Sequence, residues 1–455
     1  MLGGKIQYDY AFMSADKVGR FGFKKQELEK LAKNLKSFNK KIKQTKNESE
    51  LSFLKSPYDN QTLRQVLRIT RKLPAKFDNL VVVGIGGSNL GAKAIYQALA
   101  GQDANQLPKK WRKLKIYFSG NTTDPQPLAD LIKVLNLKKT VFYIVSKSGN
   151  TIETLSNFLF LRKKMIWQMG YKKHKEHFII TTNTETGSLG EIAQKEDYLV
   201  LPHYPGGGRY SVLSVNGLLP AAAAGFDIER LLAGAKTMVR QSKNNRVAKN
   251  SPFLFAALQY LAYTKRQQNI SVLMPYANAL AEFSQWFRQL WGESLANKVN
   301  FKNKKVNLGI TPVAALGPTD QHSQIQLYIE GPYDKIITFI KVAKIKNNLK
   351  VPKYKNTDLE YLGGHKFADI LNIEHQATAV SLMKNKRPNG TIILPELNEY
   401  CLGQLFYFFE IAALYLGELM QVNVFNQPGV EQSKNYTQAL LGKPDYEKYK
   451  KELGY

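Results

Sequence analysis

Between residues 80 and 202, short apolar runs at 80–84, 115–118, 140–145, 178–182 and 198–202 alternate with longer stretches of helical character. Such alternation predicts βαβ units, in which a mostly parallel sheet is covered by helices on both faces. Pro205-Gly206-Gly207-Gly208 breaks the rhythm, and residues 210–224 and 228–243 then read as helices. A second series follows, with helices at 253–266 and 277–297 and strands at 270–276, 335–342 and 391–397. From residue 399 onward the chain reads as helical, while residues 1–60 read as polar, charged helices around an irregular arm without a strand. The pattern predicts an α/β chain: an N-terminal helical arm (1–60), a first αβα unit (61–225), a second (226–425) and a C-terminal helical tail (426–455).

Length agrees with two units, since 455 residues exceed one average domain. A single cysteine, Cys401, excludes a disulfide framework and fits a reducing cytoplasm. The amino terminus lacks the pattern of a signal peptide, and a cytoplasmic protein is expected. Residues 400–422 are the most membrane-like segment, but Gln404, Glu410 and Glu418 interrupt them, so a buried helix is expected and no membrane partner. The formal charge of +29 raises a nucleic-acid reading. The lysines are scattered at turns and ends without a nucleic-acid-binding motif, which argues against that partner.

Candidate chemistry lies where the strands empty. In parallel α/β sheets, ligands sit beyond the carboxyl ends of the strands, at the point where strand order reverses. Residues 140–154, TVFYIVSKSGNTIET, pass from an apolar strand into a loop of hydroxyls, one lysine and one glycine, then into a helix. Ser146, Ser148 and Thr151 can each donate to a phosphate oxygen, Lys147 adds charge, and a helix N-terminus favours an anion. The same hydroxyls would also serve as ordinary helix caps.

Four further islands stand out. Gly84-Ile85-Gly86-Gly87-Ser88 resembles a dinucleotide fingerprint, but Asn89 occupies the third glycine position and no ribose-binding acid ends the next strand, so no NAD is expected. What remains is a turn whose amides can approach a ligand, with Ser88 as a donor. Arg209, after the triple glycine, could stabilise an oxyanion or form a surface ion pair. Glu293 follows Leu290 by three residues and Trp286 by seven, a setting that would desolvate its carboxylate and suit a general base, with Gln289 one turn earlier. An unremarkable Glu at a helix end is the alternative. Gly317–Ser323 delivers His322 to a helix start, and Phe425–Lys434 turns through Pro428-Gly429 to place Lys434 one turn into the last helix. Of the other histidines, His174 and His177 lie in a basic stretch, His203 follows a strand, and His365 and His375 are assigned to helices. None has metal-ligand spacing backed by acids, so no metal is expected.

Taken together and in order, GIGGSNLG, SKSGNTIET, GGRYSVLSVNGLLP, QLWGES, GPTDQHSQIQL and NQPGVEQSK closely resemble the glucose-6-phosphate isomerase (phosphoglucose isomerase) family, of the shorter bacterial type. The resemblance runs from about residue 80 to the C-terminus. It implies two sugar-isomerase (SIS) type αβα domains, no cofactor, and a hexose 6-phosphate substrate converted between aldose and ketose. By resemblance Ser146, Lys147, Ser148 and Thr151 hold the phosphate, with Ser88 and the Gly86-Gly87 backbone at the rim. His322, aided by Lys434 and partnered by Glu153, opens the ring. Glu293 moves a proton between C2 and C1 through a cis-enediolate, Arg209 stabilises the developing charge, and Gln289 and Gln427 contact sugar hydroxyls. The resemblance also implies a homodimer in which the histidine enters from the partner subunit. Asn150 stands where many members have Thr, and Ser433 where Gly is usual. A non-catalytic sugar-phosphate sensor is the competing class; retention of Glu293, His322, Arg209 and Lys434 together argues against it.

Overall fold

In the computed structural model, which describes residues 4–44 and 50–454, the strands are β1 (Gln7–Asp9), β2 (Asn79–Val83), β3 (Lys115–Ser119), β4 (Thr140–Ser146), β5 (Phe178–Thr182), β6 (Leu199–Pro202), β7 (Ile270–Pro275), β8 (Asn297–Val299), β9 (Lys305–Leu308), β10 (Thr311–Ala314), β11 (Lys335–Lys344) and β12 (Asn389–Glu396). The first sheet is wholly parallel, in the order β3-β2-β4-β5-β6. β2, β4 and β5 are buried along their whole length, which is why they read as continuous apolar runs and not as alternating ones. The chain moves outward from β2 to β3 and returns past β2 to β4. Strand order therefore reverses between β2 and β4, and the loops leaving those two strands open a crevice there.

The second sheet has the order β1-β12-β11-β7-β10, parallel except for β1. The fold is the expected α/β one, with two mostly parallel sheets, a helical N-terminal region and a helical tail. Helix Glu399–Met420 is buried nearly all round, Gln404 and Glu410 included, so its apolar residues surround it instead of forming one stripe. It is the single helix among the described residues long and apolar enough to cross a membrane, and that stretch lies wholly inside the protein. Its Phe409 meets Phe283, Phe287 and Trp291 of helix Ala281–Leu295 at ring-centroid distances of 5.7, 5.1 and 6.5 Å. Each such buried side chain contributes roughly 1.5–3 kcal/mol, and together they fix the helix that carries Glu293.

Three expectations are corrected. Residues 1–60 do contain a strand: β1 pairs antiparallel with β12, Tyr8 opposite Ile392, with Tyr8 buried and Gln7 and Asp9 exposed. Three residues are too few for their alternation to stand out from the charged arm around them. β10 and the β8–β9 hairpin were also not expected. β10 carries Pro312, which a strand tolerates because β10 lies at the sheet edge. His365 lies in the loop before helix Phe367–Lys384, not in a helix.

Candidate active site

One open cleft of ≈ 830 Å³ collects the loops at the carboxyl ends of the first sheet together with helix Ala281–Leu295 and the start of the C-terminal tail. That volume lies in the usual range for a small-molecule site, roughly 300–1,000 Å³. Of the residues singled out from sequence, Gly87, Ser88, Lys147, Ser148, Thr151, Arg209, Gln289, Glu293, Gln427 and Lys434 line it.

β4 ends at Ser146, whose buried hydroxyl shares a 3.0 Å hydrogen bond with Thr151 Oγ1. Thr151 is the residue before helix Ile152–Met169, yet its side chain makes no capping bond. The ordinary capping role is thus unfilled, and the hydroxyls of this loop turn to each other and to the cleft. Ser148 Oγ accepts from Asn150 N at 3.2 Å. Desolvation, and after it the nearby charge of Arg209, pulls the Lys147 ammonium below the usual lysine range. Across the crevice the glycine turn after β2 packs directly on backbone: a Cβ on Gly87 would stand 2.0 Å from Gly208 C. The residue that spoiled the dinucleotide fingerprint has a structural use, since buried Asn89 donates through Nδ2 to Gly84 O at 3.0 Å and ties the turn to its own strand.

Arg209 is no surface residue. It is 1 % exposed and its guanidinium is saturated: Nε donates to Ser294 Oγ at 2.9 Å, Nη2 to Val424 O at 2.7 Å and Asn426 O at 3.2 Å, and Nη1 to Glu293 Oε2 at 3.1 Å and to Gln427 Oε1. Its plane is therefore fixed by groups far apart in sequence. Glu293 Oε1 accepts from Gln289 Nε2 at 3.0 Å, so both carboxylate oxygens have a donor. The enclosure by Trp286 and Leu290 expected for Glu293 is not found. Those side chains are 1 % and 0 % exposed in the core, whereas the Glu293 side chain is 32 % exposed at the cleft, because the last turn of the helix leaves the core there.

Three of the expected residues lie off the cleft lining. Ser146 sits behind Thr151, Glu153 lies in the first turn of the helix after the Lys147–Thr151 loop, and His322 is exposed on the short helix Thr319–Ser323 at the other sheet. Lys434 borders the cleft while its Nζ pairs with Glu431 at 2.8 Å in solvent. One wall was missed from sequence: Thr182–Thr186 after β5, and Pro202–Pro205 after β6. The rule that ligands sit at strand carboxyl ends pointed to both loops, but neither carries a charged motif that draws attention. In that wall His203 is a neutral imidazole: burial lowers its pKa to about 4, its Nδ1 lies 2.6 Å from Tyr204 O, and its Nε2 faces Asn216 Nδ2 at 3.2 Å.

A parallel sheet with a hydroxyl-lysine-glycine loop at its switch point, facing a carboxylate held by a buried arginine, defines an α/β protein with a cleft for a small polyoxygenated anion. The profile of the family described as phosphoglucose isomerase matches residues 74–452. The chain is 39 % identical over 418 residues to the glucose-6-phosphate isomerase of Carboxydothermus hydrogenoformans, covering 90 % of this chain and 89 % of that one. It is 37 % identical to the glucose-6-phosphate isomerase of Rubrobacter xylanophilus over 97 % of this chain and 99 % of that one. Among solved structures, a hypothetical protein from Thermus thermophilus superposes with a TM-score of 0.84 at 30 % identity, covering 96 % of this chain and 100 % of that one. A glucose-6-phosphate isomerase from Chlamydia trachomatis shares the fold, with a TM-score of 0.83 at 21 % identity over 99 % and 91 % of the two chains. The chain belongs to the phosphoglucose isomerase family.

Proposed function

We propose that the chain is an aldose–ketose isomerase that interconverts glucose 6-phosphate and fructose 6-phosphate, and that it does so in this cleft. The observation that carries the reading is that Glu293, held between Arg209 and Gln289, lines the same cleft as the phosphate-type loop Lys147–Ser148–Thr151. The loop anchors the 6-phosphate, with Ser88 and the Gly86-Gly87 amides at the rim and Ser146 orienting Thr151. Anchoring places C1 and C2 against Glu293.

Only the open chain has a carbonyl to acidify the neighbouring C–H, so the ring must open first. His322, supported by Glu153 and Lys434, protonates the ring oxygen. Glu293 then takes the proton from C2 and returns it to C1, or the reverse. The intermediate is a cis-enediolate whose charge Arg209 stabilises, an electrostatic task suited to donors already fixed in place. Gln289 and Gln427 hold hydroxyls of the sugar. Because His322 is exposed and off the cleft of its own chain, we assign it to the cleft of a second copy, in a homodimer. Each subunit divides into sheet-bearing units at 61–225 and 226–425, and the enzyme works in the cytoplasm without nucleic-acid or membrane partners.

The test is a coupled assay with fructose 6-phosphate on the intact protein and on Glu293→Gln. The intact protein turns over; the variant keeps its shape and its KM and loses about 10²–10⁴ in turnover. Full turnover in Glu293→Gln would remove Glu293 as the base.

A further inference from the structure

β5 runs beside β4 so that Thr182 is the register partner of Ser146, the last residue before the phosphate loop. The chain leaving β5 clasps that loop along its backbone. Asn183 N donates to Lys147 O at 3.3 Å, Leu189 N to Gly149 O at 3.0 Å, and Ser188 N to Asn150 Oδ1 at 3.0 Å. Gly187, at φ +86°, lies so close that a Cβ there would stand 2.1 Å from Ser148 O. Only glycine combines that conformation with that approach. The phosphate loop is thus ordered before any ligand arrives, which spares the binding step an entropic penalty.

Within this brace Thr182 is the anomaly. Its carbonyl accepts from His203 N at 3.2 Å. Its hydroxyl, by contrast, is fully buried, borders the cleft and has no hydrogen-bond partner in the chain. It sits against the loop itself, 3.3 Å from where a Cβ on Gly149 would stand. An idle buried hydroxyl destabilises a fold, and valine would fill the same strand position without that cost. On the reading that the cleft holds a sugar phosphate, the geometry points to Thr182 as a further phosphate ligand, its Oγ1–H donating to a phosphate oxygen from the β5 side while Ser148, Thr151 and Lys147 hold it from the β4 side.

The experiment is Thr182→Val, read by KM and kcat for fructose 6-phosphate, by the inhibition constant of inorganic phosphate, and by thermal unfolding. Loss of one hydrogen bond to a charged group raises KM and the phosphate inhibition constant together by about tenfold to a hundredfold. kcat falls far less, and the unfolding temperature holds or rises because an unsatisfied group has gone. A merely structural hydroxyl would lower the unfolding temperature and leave phosphate affinity alone. Thr182→Ser, which keeps the donor, restores affinity. Unchanged KM and unchanged phosphate inhibition in an active enzyme overturn the inference. If the intact protein proves inactive on hexose 6-phosphates, the function assigned above fails instead, and calorimetric titration of phosphate into the intact protein and Thr182→Val still decides whether Thr182 binds phosphate. Should Thr182→Val not fold, Thr182→Cys, of similar volume and weaker donor strength, is read by the same criteria.

Discussion

The two sheets are built alike, five strands each and mostly parallel, yet their carboxyl ends do different work. Those of the first sheet converge, so that the glycine turn, the phosphate-type loop and the Thr182 and His203 walls line one cleft. Those of the second sheet deliver a histidine on the exposed helix Thr319–Ser323, away from that cleft. The half around the first sheet is a finished binding surface, its Arg209 already hydrogen-bonded to Glu293 and Gln427, which helix Ala281–Leu295 and the tail bring to it; the second sheet's loop holds His322 out to solvent. On the proposed reading, the difference means that a second copy of the chain, and not closure of one chain on itself, completes the site.

The strongest challenge to the finished half is Arg209→Met. It removes the arginine N–H groups that reach Glu293, Ser294, Gln427 and the carbonyls of Val424 and Asn426. Expected are a loss of about 3–5 kcal/mol in chemical denaturation and a fall in turnover of about 10²–10³. A stable Arg209→Met enzyme would mean that the cluster is not what holds the cleft.

The outward half is tested by His322→Ala. Turnover falls by about 10²–10⁴, while the stability of the single subunit moves by less than about 0.5 kcal/mol, because the side chain is exposed within its own chain. Refolding His322→Ala together with Glu293→Gln sharpens the comparison further. If each site takes its carboxylate from one chain and its histidine from the other, mixed dimers regain one good site, about a quarter of the activity overall. No recovery would place both groups within one chain.

Burial lowers the pKa of His174 and of His177, but the largest histidine shifts fall on one residue in each half: His203 just after β6, and His375 behind β12, where its Nε2 meets Thr391 Oγ1 at 3.1 Å. Burial lowers both to about 4 from the ordinary 6.5. As pH falls below 6.5 the unfolded chain takes up these protons and the folded one does not, so stability declines between pH 6.5 and 4, each histidine contributing up to roughly 1.4 kcal/mol per pH unit. Denaturation midpoints at pH 7, 6 and 5 should reveal the slope, and His203→Asn and His375→Asn should each remove its own share. The smallest effect is expected from Asn150→Thr, which gives up the acceptor for Ser188 N. KM should rise only a few-fold, equivalent to about 1 kcal/mol or less, with kcat unchanged.

The phosphate-type loop was legible in the sequence because its chemistry is local, with Ser146, Lys147, Ser148 and Thr151 inside six positions. The parallel sheets were legible for a similar reason, since strands buried on both faces announce themselves as apolar runs. Arg209 was legible as a residue but not in its setting. Its partners lie 84 to 218 positions away, so its burial is a property of the assembled fold. Glu293 was read as enclosed because helical spacing reports which residues share a face, not where the helix leaves the core. Thr182 left no mark, since one threonine ending a strand means nothing until strand order sets β5 beside β4. β1 was too short, and β10 too interrupted by proline, to compete with the polar sequence around them.

The central claim is that Glu293 carries hydrogen between C2 and C1. It is tested most directly with hexose 6-phosphate labelled with tritium at C2. The intact enzyme should move part of the label to C1 and lose the rest to water, while Glu293→Gln, still inhibited by inorganic phosphate, should do neither above about a thousandth of that rate. Label leaving C2 in Glu293→Gln at close to the intact rate would contradict the account.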